Sequence, residues 1–140
     1  MRENKKYKLK ITILGAGSNT LIRDKGIKGV VIKLGKEFSE IKLIEKDTIK
    51  VGAAALDRKI SNFAKDNGIT NLEFLSCIPG SIGGSVIMNS GCYDYEVSNI
   101  LLSINVIDLK ECKEKEIKRE DIKFFYRGTS LPEEILITSV

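Results

Sequence analysis

The stretch Ile78-Pro79-Gly80-Ser81-Ile82-Gly83-Gly84 decides how this chain folds, because three glycines and a proline fall within seven positions. Met88-Asn89-Ser90-Gly91 follows shortly afterwards, and apolar residues flank both segments, which is unlike a flexible linker. Glycine in such a setting permits a tight turn or the close approach of backbone to a ligand. Exposed N–H groups of such a turn suit an anion or a polar cofactor edge. The alternative is a buried turn without a ligand.

Length and composition indicate one domain, residues 1–140, with a core of its own. The hydrophobic share of 42% and the charged share of 30% are typical of globular proteins. No apolar run approaches the roughly 20 residues of a membrane span, and no apolar signal core follows the basic start. We therefore predict a cytoplasmic protein that does not enter a membrane.

The net charge of +4 is concentrated near the N-terminus, in Arg2, Lys5, Lys6, Lys8 and Lys10. No aromatic stacking platform accompanies this basic cluster. A solvated terminal segment is the better interpretation, and we expect no nucleic-acid partner.

Cysteine and histidine usage limits the chemistry of the chain. The three cysteines, Cys77, Cys92 and Cys112, form no C-x-x-C pair, which argues against a disulfide framework and a zinc site, and we predict no metal. Cys77 lies beside the glycine-rich turn; a buried, apolar thiol is favoured over a reactive one. There is no histidine, so a Ser-His-Asp triad and a Cys-His dyad are excluded within the chain. A cofactor is therefore expected to supply most of any chemistry.

A second glycine-rich loop, Gly15-Ala16-Gly17-Ser18-Asn19, follows an alternating segment that predicts a strand over residues 9–13. It is only half of a dinucleotide-binding fingerprint, because Thr20 stands where the third glycine belongs, and it lacks the lysine of a P-loop. Gly15, Gly17 and the Ser18 hydroxyl could face a pyrophosphate through N–H and O–H donors. An ordinary turn is the alternative.

The remaining pattern predicts an α+β fold with a mainly antiparallel sheet. The apolar stripe Leu56, Ile60, Phe63 and Ala64 predicts a helix whose stripe faces the core. The other predicted elements are a buried strand over residues 30–34, a hairpin of residues 41–43 and 48–51, a short helix over residues 84–88, an alternating strand over residues 102–106, a charged hairpin tip over residues 110–118 and a last strand over residues 135–137.

Three segments together resemble one family. They are the residues 13–22 around the first glycine loop, the stretch 78–84 with residues 88–91, and Phe125-Tyr126-Arg127. Their order and spacing are similar to those of the UDP-N-acetylenolpyruvoylglucosamine reductases, MurB. The resemblance runs from about Ile11 to Val140.

This resemblance implies an FAD-binding domain of the vanillyl-alcohol-oxidase (PCMH) type, with a mainly antiparallel sheet flanked by helices. It implies FAD as cofactor, NADPH as hydride donor and UDP-N-acetylglucosamine enolpyruvate as substrate, reduced to UDP-N-acetylmuramate for peptidoglycan. The residues that it implies for cofactor binding are Gly15, Ala16, Gly17, Ser18, Asn19, Thr20, Ile78, Pro79, Gly80, Ser81, Gly83, Gly84, Asn89 and Gly91.

For the substrate, the resemblance implies a catalytic role for Arg127, which would stabilise negative charge on the reacting enolpyruvyl group, and a substrate contact for Tyr126. Two positions depart from the family pattern. Ser81 replaces the commoner threonine, and Gly128 follows the arginine where the family usually has a larger polar residue. We expect the freedom of Gly128 to loosen the placement of Arg127.

The resemblance also implies sequence before the first glycine loop and a substrate-binding domain, or a further chain, that completes the active site. That domain would carry the serine that protonates the intermediate and an assisting glutamate. The chain is therefore interpreted as a central fragment that is inactive alone. Two alternatives stay open: a non-catalytic or relict flavin-binding module, and a flavin-linked oxidase of the same superfamily. Such oxidases often tether FAD through histidine, which this chain lacks.

Overall fold

A computed structural model describes residues 9–140, so the basic residues from Arg2 to Lys8 lie outside the described residues. The strands are β1 (Ile11–Ile13), β2 (Val30–Ile32), β3 (Ile41–Glu45), β4 (Thr48–Val51), β5 (Gly91–Cys92), β6 (Tyr95–Glu96), β7 (Ser103–Asp108), β8 (Lys113–Lys118), β9 (Phe124–Phe125), β10 (Gly128–Thr129) and β11 (Ile135–Ser139). The helices are α1 (Asp57–Asp66) and α2 (Ile82–Ile87), with 3-10 turns at Lys36–Phe38, Glu73–Cys77, Val97–Asn99 and Arg119–Asp121.

A three-stranded antiparallel sheet has the order β11-β7-β8, and β3 and β4 form a separate two-stranded antiparallel sheet. The β7–β8 hairpin is a regular antiparallel pair, the β3–β4 hairpin has a register shift between Leu43 and Glu45, and β11 pairs antiparallel with β7. Val51 and Val140 join the two parts, because each donates its N–H to the carbonyl of the other at 2.7 Å. Leu75, Val86 and Ile104 are fully buried in the core that forms beside this sheet. The predicted α+β class with mainly antiparallel strands is confirmed.

The predicted buried strand over residues 30–34 is wrong in its burial. Its ordered part is β2, which pairs in parallel with β1, and Val30 and Val31 are 39% and 41% exposed. A continuous apolar run is typical of a strand covered on both faces, but within residues 9–140 no second layer covers this pair.

The apolar face of α1 is displaced by one position from the predicted stripe. Ile60 and Ala64 are buried as expected, but Leu56 is 44% exposed and stands at the N-cap, outside the helix. The buried face instead consists of Asp57, Ile60, Ser61 and Ala64. A prediction based on apolar residues alone misses Asp57, because a carboxylate is not counted in an apolar stripe even when it is buried.

The charged segment over residues 110–118 is a strand for most of its length, which corrects the predicted hairpin tip. Lys113–Lys118 forms β8, paired in register with β7, and only residues 109–112 form the turn. The strand lies at a sheet edge, and its lysine and glutamate side chains are exposed on both faces. The sequence therefore lacks the alternation of apolar and polar residues that identifies a strand. Ile117, opposite Ile104, is its apolar contact with the core.

Residues 9–140 show neither a membrane-spanning helix nor a cluster of metal-ligating side chains. No helix there has the length and apolar character needed to cross a membrane. No group of three or more potential metal-ligating side chains comes together in this part of the chain.

Candidate functional site

The central glycine-rich turn is held by the turn segment that precedes α1. The N–H of Ile82 donates to the carbonyl of Ala55, and the N–H of Gly83 donates to the carbonyl of Ala53, each at 3.0 Å. A Cβ on Gly83 would lie 2.9 Å from the Ala53 Cβ, closer than side-chain carbons approach. Glycine at position 83 is therefore required for packing of the turn against its own chain.

A buried carboxylate lies beneath the same turn. Asp57 is fully buried, and its N–H donates to the Gly80 carbonyl at 3.1 Å. The Ser85 hydroxyl donates to Asp57 Oδ2 at 2.6 Å, whereas Oδ1 has no hydrogen-bond partner. Burial raises the pKa of Asp57 to about 6, against the opposing effect of the Ser85 hydrogen bond. Sequence reasoning missed Asp57, although an acidic residue in the first turn of a helix is a usable signal.

The first glycine-rich loop is exposed and rich in free donors. Residues 15–20 are all exposed, and Gly17 has a φ of +86° with no atom within 4 Å of a Cβ placed on it. The Thr20 N–H donates back to the Gly17 carbonyl at 3.3 Å. None of the N–H groups from Gly15 to Asn19 donates a hydrogen bond within the described part of the chain. This is an open row of donors with room for a ligand.

The two glycine-rich loops meet. A Cβ placed on Gly15 would lie 2.8 Å from the Ser81 hydroxyl oxygen, so the backbone of the first loop rests against the central turn. Gly84, one turn further, is exposed, and its missing Cβ would have only the Ser81 hydroxyl within 4 Å, at 3.9 Å. Across residues 9–140 the N–H groups of Gly80, Ser81 and Gly84 and the Ser81 hydroxyl donate no hydrogen bond. The predicted cofactor residues with free donors therefore lie in both glycine-rich loops, on either side of the contact between Gly15 and Ser81.

Tyr126 and Arg127 form the two-residue tip of the β9–β10 hairpin, in which Gly128 pairs with Phe125. Arg127 has a φ of +58°, a conformation that glycine or asparagine usually supplies. Its guanidinium lies 5.3 Å from the centre of the Tyr126 ring, and the Tyr126 side chain is 82% exposed. A Cβ on Gly128 would collide with the Phe125 ring. Gly128 thus packs against Phe125 within the hairpin, and the expected loosening of Arg127 stays a prediction.

Three side-chain hydrogen bonds tie this hairpin to the residues that follow the central turn. They are Thr129 Oγ1 to the Ile87 carbonyl at 3.4 Å, Asn89 Nδ2 to the Phe125 carbonyl at 3.3 Å, and Arg127 Nη1 to the Gly91 carbonyl at 3.5 Å. The structure therefore brings the third predicted segment against the second.

Asn89 is the central residue of this connection. It follows the α2 C-cap with a φ of +42°, and its N–H donates to the Val86 carbonyl at 3.1 Å. Its amide donates also to Glu96 Oε2 at 2.7 Å, and its Oδ1 accepts the Ser98 N–H at 3.1 Å. These bonds and the one to Phe125 use both amide hydrogens and the amide oxygen. Asn89 therefore stabilises the connection between the hairpin and the residues after α2. Its predicted role in cofactor binding stays a prediction.

The remaining predicted cofactor residues offer less to a ligand. The Ile78 N–H donates to the Leu75 carbonyl at 3.2 Å, and Pro79 is exposed but has no N–H. Gly91 lies in β5, packed against Tyr95 and Glu96 of the neighbouring strand. These residues shape the turn and its continuation.

Similarity to a known protein family identifies the class of ligand. The family model described as FAD binding domain matches residues 1–113, most of this chain. The chain belongs to the FAD binding domain family. The predicted cofactor, FAD, is confirmed at the level of this family, and the α+β FAD-binding domain fold is confirmed with it.

Relatives of this FAD-binding domain carry one name. A UDP-N-acetylenolpyruvoylglucosamine reductase of Pelagibacter ubique is 50% identical over 132 residues, which are 94% of this chain and 43% of the relative. The protein of the same name from Rickettsia felis is 46% identical over 132 residues, covering 94% of this chain and 44% of the relative. The chain therefore spans less than half the length of these curated relatives.

A solved structure agrees with the fold. The crystal structure of UDP-N-acetylenolpyruvylglucosamine reductase (MurB) from Thermus caldophilus superposes with a TM-score of 0.82 at 30% sequence identity. The match covers 99% of this chain and 51% of that one. The resemblance to MurB predicted from the three segments is confirmed.

The residues present fit FAD. A dinucleotide diphosphate requires several N–H or O–H donors and backbone that lets it approach closely. The free N–H groups from Gly15 to Asn19, the Ser18 hydroxyl and the open space at Gly17 meet this requirement. No aspartate or glutamate stands within residues 15–20 to oppose the negative charge.

Proposed function

We propose that this chain is the FAD-binding part of an NADPH-dependent reductase that converts UDP-N-acetylglucosamine enolpyruvate to UDP-N-acetylmuramate in peptidoglycan biosynthesis. The observation that carries the proposal is the convergence of three segments. The Gly15 loop rests on Ser81, and the hairpin that presents Arg127 is bonded to Ile87, Asn89 and Gly91. The name shared by the relatives supports the same reaction.

In this proposal the Gly15–Asn19 loop binds the diphosphate of FAD through N–H groups and the Ser18 hydroxyl. Ser81 and Gly84, on the other side of the loop contact, lie along the cofactor. FAD, when bound, supplies hydride transfer between NADPH and the substrate. The contribution of this chain is to hold the cofactor and to orient the substrate beside it.

Arg127 is the proposed catalytic residue. Hydride addition to a carbon–carbon double bond beside a carboxylate builds negative charge on the substrate, and a guanidinium stays charged at neutral pH. The positive φ of Arg127 supports this role, because non-glycine residues in this conformation cost of order 1–3 kcal/mol and cluster at functional sites. Tyr126, whose ring lies against the guanidinium, is the proposed substrate contact.

The complete reaction needs sequence beyond what this chain spans of its relatives, either a substrate-binding domain or a partner chain. The predicted cytoplasmic location remains part of the same proposal. Neither the fold nor the comparisons favour the non-catalytic module or the flavin-linked oxidase.

The proposal is tested on the purified full-length gene product by steady-state NADPH oxidation. We expect NADPH consumption only when UDP-N-acetylglucosamine enolpyruvate is present, with a product that has gained two hydrogen atoms. NADPH oxidation that is indifferent to this substrate would overturn the proposal.

Replacing Arg127→Gln tests the catalytic assignment. We expect kcat to fall about 10²–10³-fold, as when one charge-stabilising group is removed, with unchanged FAD content. Arg58→Gln, on the exposed face of α1, is the matched control and should retain full activity. An Arg127→Gln enzyme as active as this control would remove Arg127 from the mechanism.

A further inference from the structure

We propose that Cys77 and Cys92 form an oxidisable dithiol, which hydrogen peroxide and small hydroperoxides convert to a disulfide next to Arg127. The effect on catalysis rests on the proposed function, whereas the thiol chemistry does not. The two cysteines stand 15 positions apart in the sequence and are both free thiols.

The fold brings the two cysteines together. Cys77 ends the 3-10 turn Glu73–Cys77, which packs against β5, and Cys92 is the second residue of β5. The same two segments are joined by stacked rings, with the centres of Phe74 and Tyr95 6.2 Å apart at an interplanar angle of 22°. The Cys77 thiol lies close enough to the Cys92 thiol to contribute to the raised pKa of Cys92.

The two thiols differ in exposure, which gives them different roles in the oxidation. Cys77 is exposed, in contrast to the burial predicted for it, and lines an open cavity of about 320 Å³ with Glu73, Phe74, Ser76, Tyr93 and Tyr95. Cys92 is half-buried, and burial together with the neighbouring Cys77 raises the pKa of its thiol, whereas the Tyr93 N–H and Arg127 oppose this. Cys77 is therefore the thiol that meets an oxidant, and Cys92 is held beside it.

The chemistry balances with hydrogen peroxide as the oxidant, and an organic hydroperoxide would release its alcohol in place of the first water. The Cys77 sulfur attacks one peroxide oxygen, the O–O bond breaks, and one water leaves as Cys77 becomes a sulfenic acid. The Cys92 sulfur then attacks the Cys77 sulfur, the S–S bond forms, and the sulfenic oxygen leaves as a second water. Two thiols lose two electrons and two protons, and one peroxide is reduced to two waters.

The position of Cys92 links this oxidation to the proposed site. The Gly91 carbonyl, one residue before Cys92, accepts the hydrogen bond from Arg127 Nη1. A disulfide fixes its two Cα atoms about 4.4–6.8 Å apart, so bond formation locks β5 to the 3-10 turn in one geometry. The carbonyl that holds Arg127 belongs to the residue next to this cross-link, so we expect oxidation to alter the placement of the guanidinium.

The experiment treats the full-length gene product with hydrogen peroxide and maps the cysteines by mass spectrometry. We expect a Cys77–Cys92 disulfide, with loss of two hydrogen atoms, that dithiothreitol reverses. Cys112→Ser should still form it, because Cys112 lies in the β7–β8 turn, and Cys77→Ser and Cys92→Ser should not. Oxidation of Cys77 to the sulfinic acid with Cys92 still reduced would overturn the dithiol.

A second readout tests the link to Arg127. In the oxidised wild type and Cys112→Ser, we expect kcat/KM for the enolpyruvyl substrate to fall about ten- to hundredfold, as a misplacement of about 1 Å can produce. Cys77→Ser, treated identically, should keep its value. An unchanged kcat/KM in the fully disulfide-bonded wild type would overturn the link. The cysteine mapping decides the thiol chemistry even if the protein reduces no enolpyruvyl substrate, which separates the two proposals.

Discussion

Gly83 and Gly84 are adjacent in the sequence but have opposite surroundings. We expect Gly83→Ala to lower the free energy of unfolding by about 1–3 kcal/mol, because its Cβ would overpack Ala53. Gly84→Ala has open space and a helical position, so it should be neutral or stabilising by up to about 1 kcal/mol, yet weaken FAD binding. Urea unfolding and flavin titration of the two variants separate the packing role from the cofactor role. Equal effects of both substitutions on unfolding would contradict this distinction.

Asp57 makes stability depend on pH. Since its folded pKa of about 6 exceeds the ordinary value of 3.8, the folded state holds a proton that the unfolded state has lost between these values. The free energy of unfolding should therefore fall as pH rises from about 4 to 6, by at most about 3 kcal/mol. We expect Asp57→Asn to be more stable than wild type at neutral pH and to flatten this dependence. Urea unfolding across the range is the measurement.

Asp108 acts in the opposite direction and serves as the control. The Glu111 N–H and then Lys115 lower the pKa of Asp108 to about 2, so its contribution is present above about pH 4 and is lost toward pH 2. Asp108→Asn should leave the slope between pH 4 and 6 unchanged. A wild-type stability that does not fall between pH 4 and 6 would contradict the raised pKa of the buried Asp57.

Single residues were the least predictable part of the sequence. The pattern of both glycine-rich loops predicts close approach of backbone to a ligand, and the neighbour that the structure shows at Gly15 is Ser81 of the same chain. The role of Gly83 depends on Ala53, 30 positions earlier, and no local pattern reports that contact. The burial of Asp57 and the exposure of Cys77 also follow from tertiary packing, which overrides what residue type suggests.

At the scale of elements, Asn89 holds α2, the 3-10 turn after β6 and the β9–β10 hairpin together. We expect Asn89→Ala to lower the free energy of unfolding by about 2–4 kcal/mol, since each lost hydrogen bond contributes about 1 kcal/mol and the Ser98 N–H loses its acceptor. The substrate-dependent rate should fall as well, because the hairpin carries Arg127. Thermal unfolding and steady-state kinetics check the two effects.

Asn99→Ala is the matched control for this prediction. Its exposed side chain accepts the Glu96 N–H at 2.7 Å and caps one 3-10 turn, so its loss should cost only about 1 kcal/mol and spare the rate. If both variants lost the same stability and the same activity, the bracing role of Asn89 would be wrong.

Elements with a clear period were predicted well, and those whose pattern is masked by charge were not. The β3–β4 hairpin and the helix α1 follow from alternation and from a four-residue apolar spacing. The sequence of β8 predicts a hairpin tip instead of a strand, because its lysines and glutamates face solvent on a sheet edge. The burial of β2 failed for a different reason, since an apolar run does not reveal what covers it.

At the scale of the whole molecule, the fold class followed from many short strands and few helices, whereas the site did not follow from pattern alone. The Gly15 loop, the central turn and the Tyr126-Arg127 tip are separated by more than 40 residues each, and their resemblance to one family is what grouped them. The geometry supports that grouping, because the loops touch and the tip is hydrogen-bonded beside them.

The most direct test of the central claim is an anaerobic absorbance experiment on the purified full-length protein. We predict that it carries FAD, that NADPH bleaches the visible absorbance of the oxidised flavin, and that UDP-N-acetylglucosamine enolpyruvate restores it. The Arg127→Gln variant should bleach normally and recover far more slowly. A protein that purifies without flavin and gains no flavin absorbance on titration with FAD, or one whose bleached flavin ignores the enolpyruvyl substrate, would contradict the account.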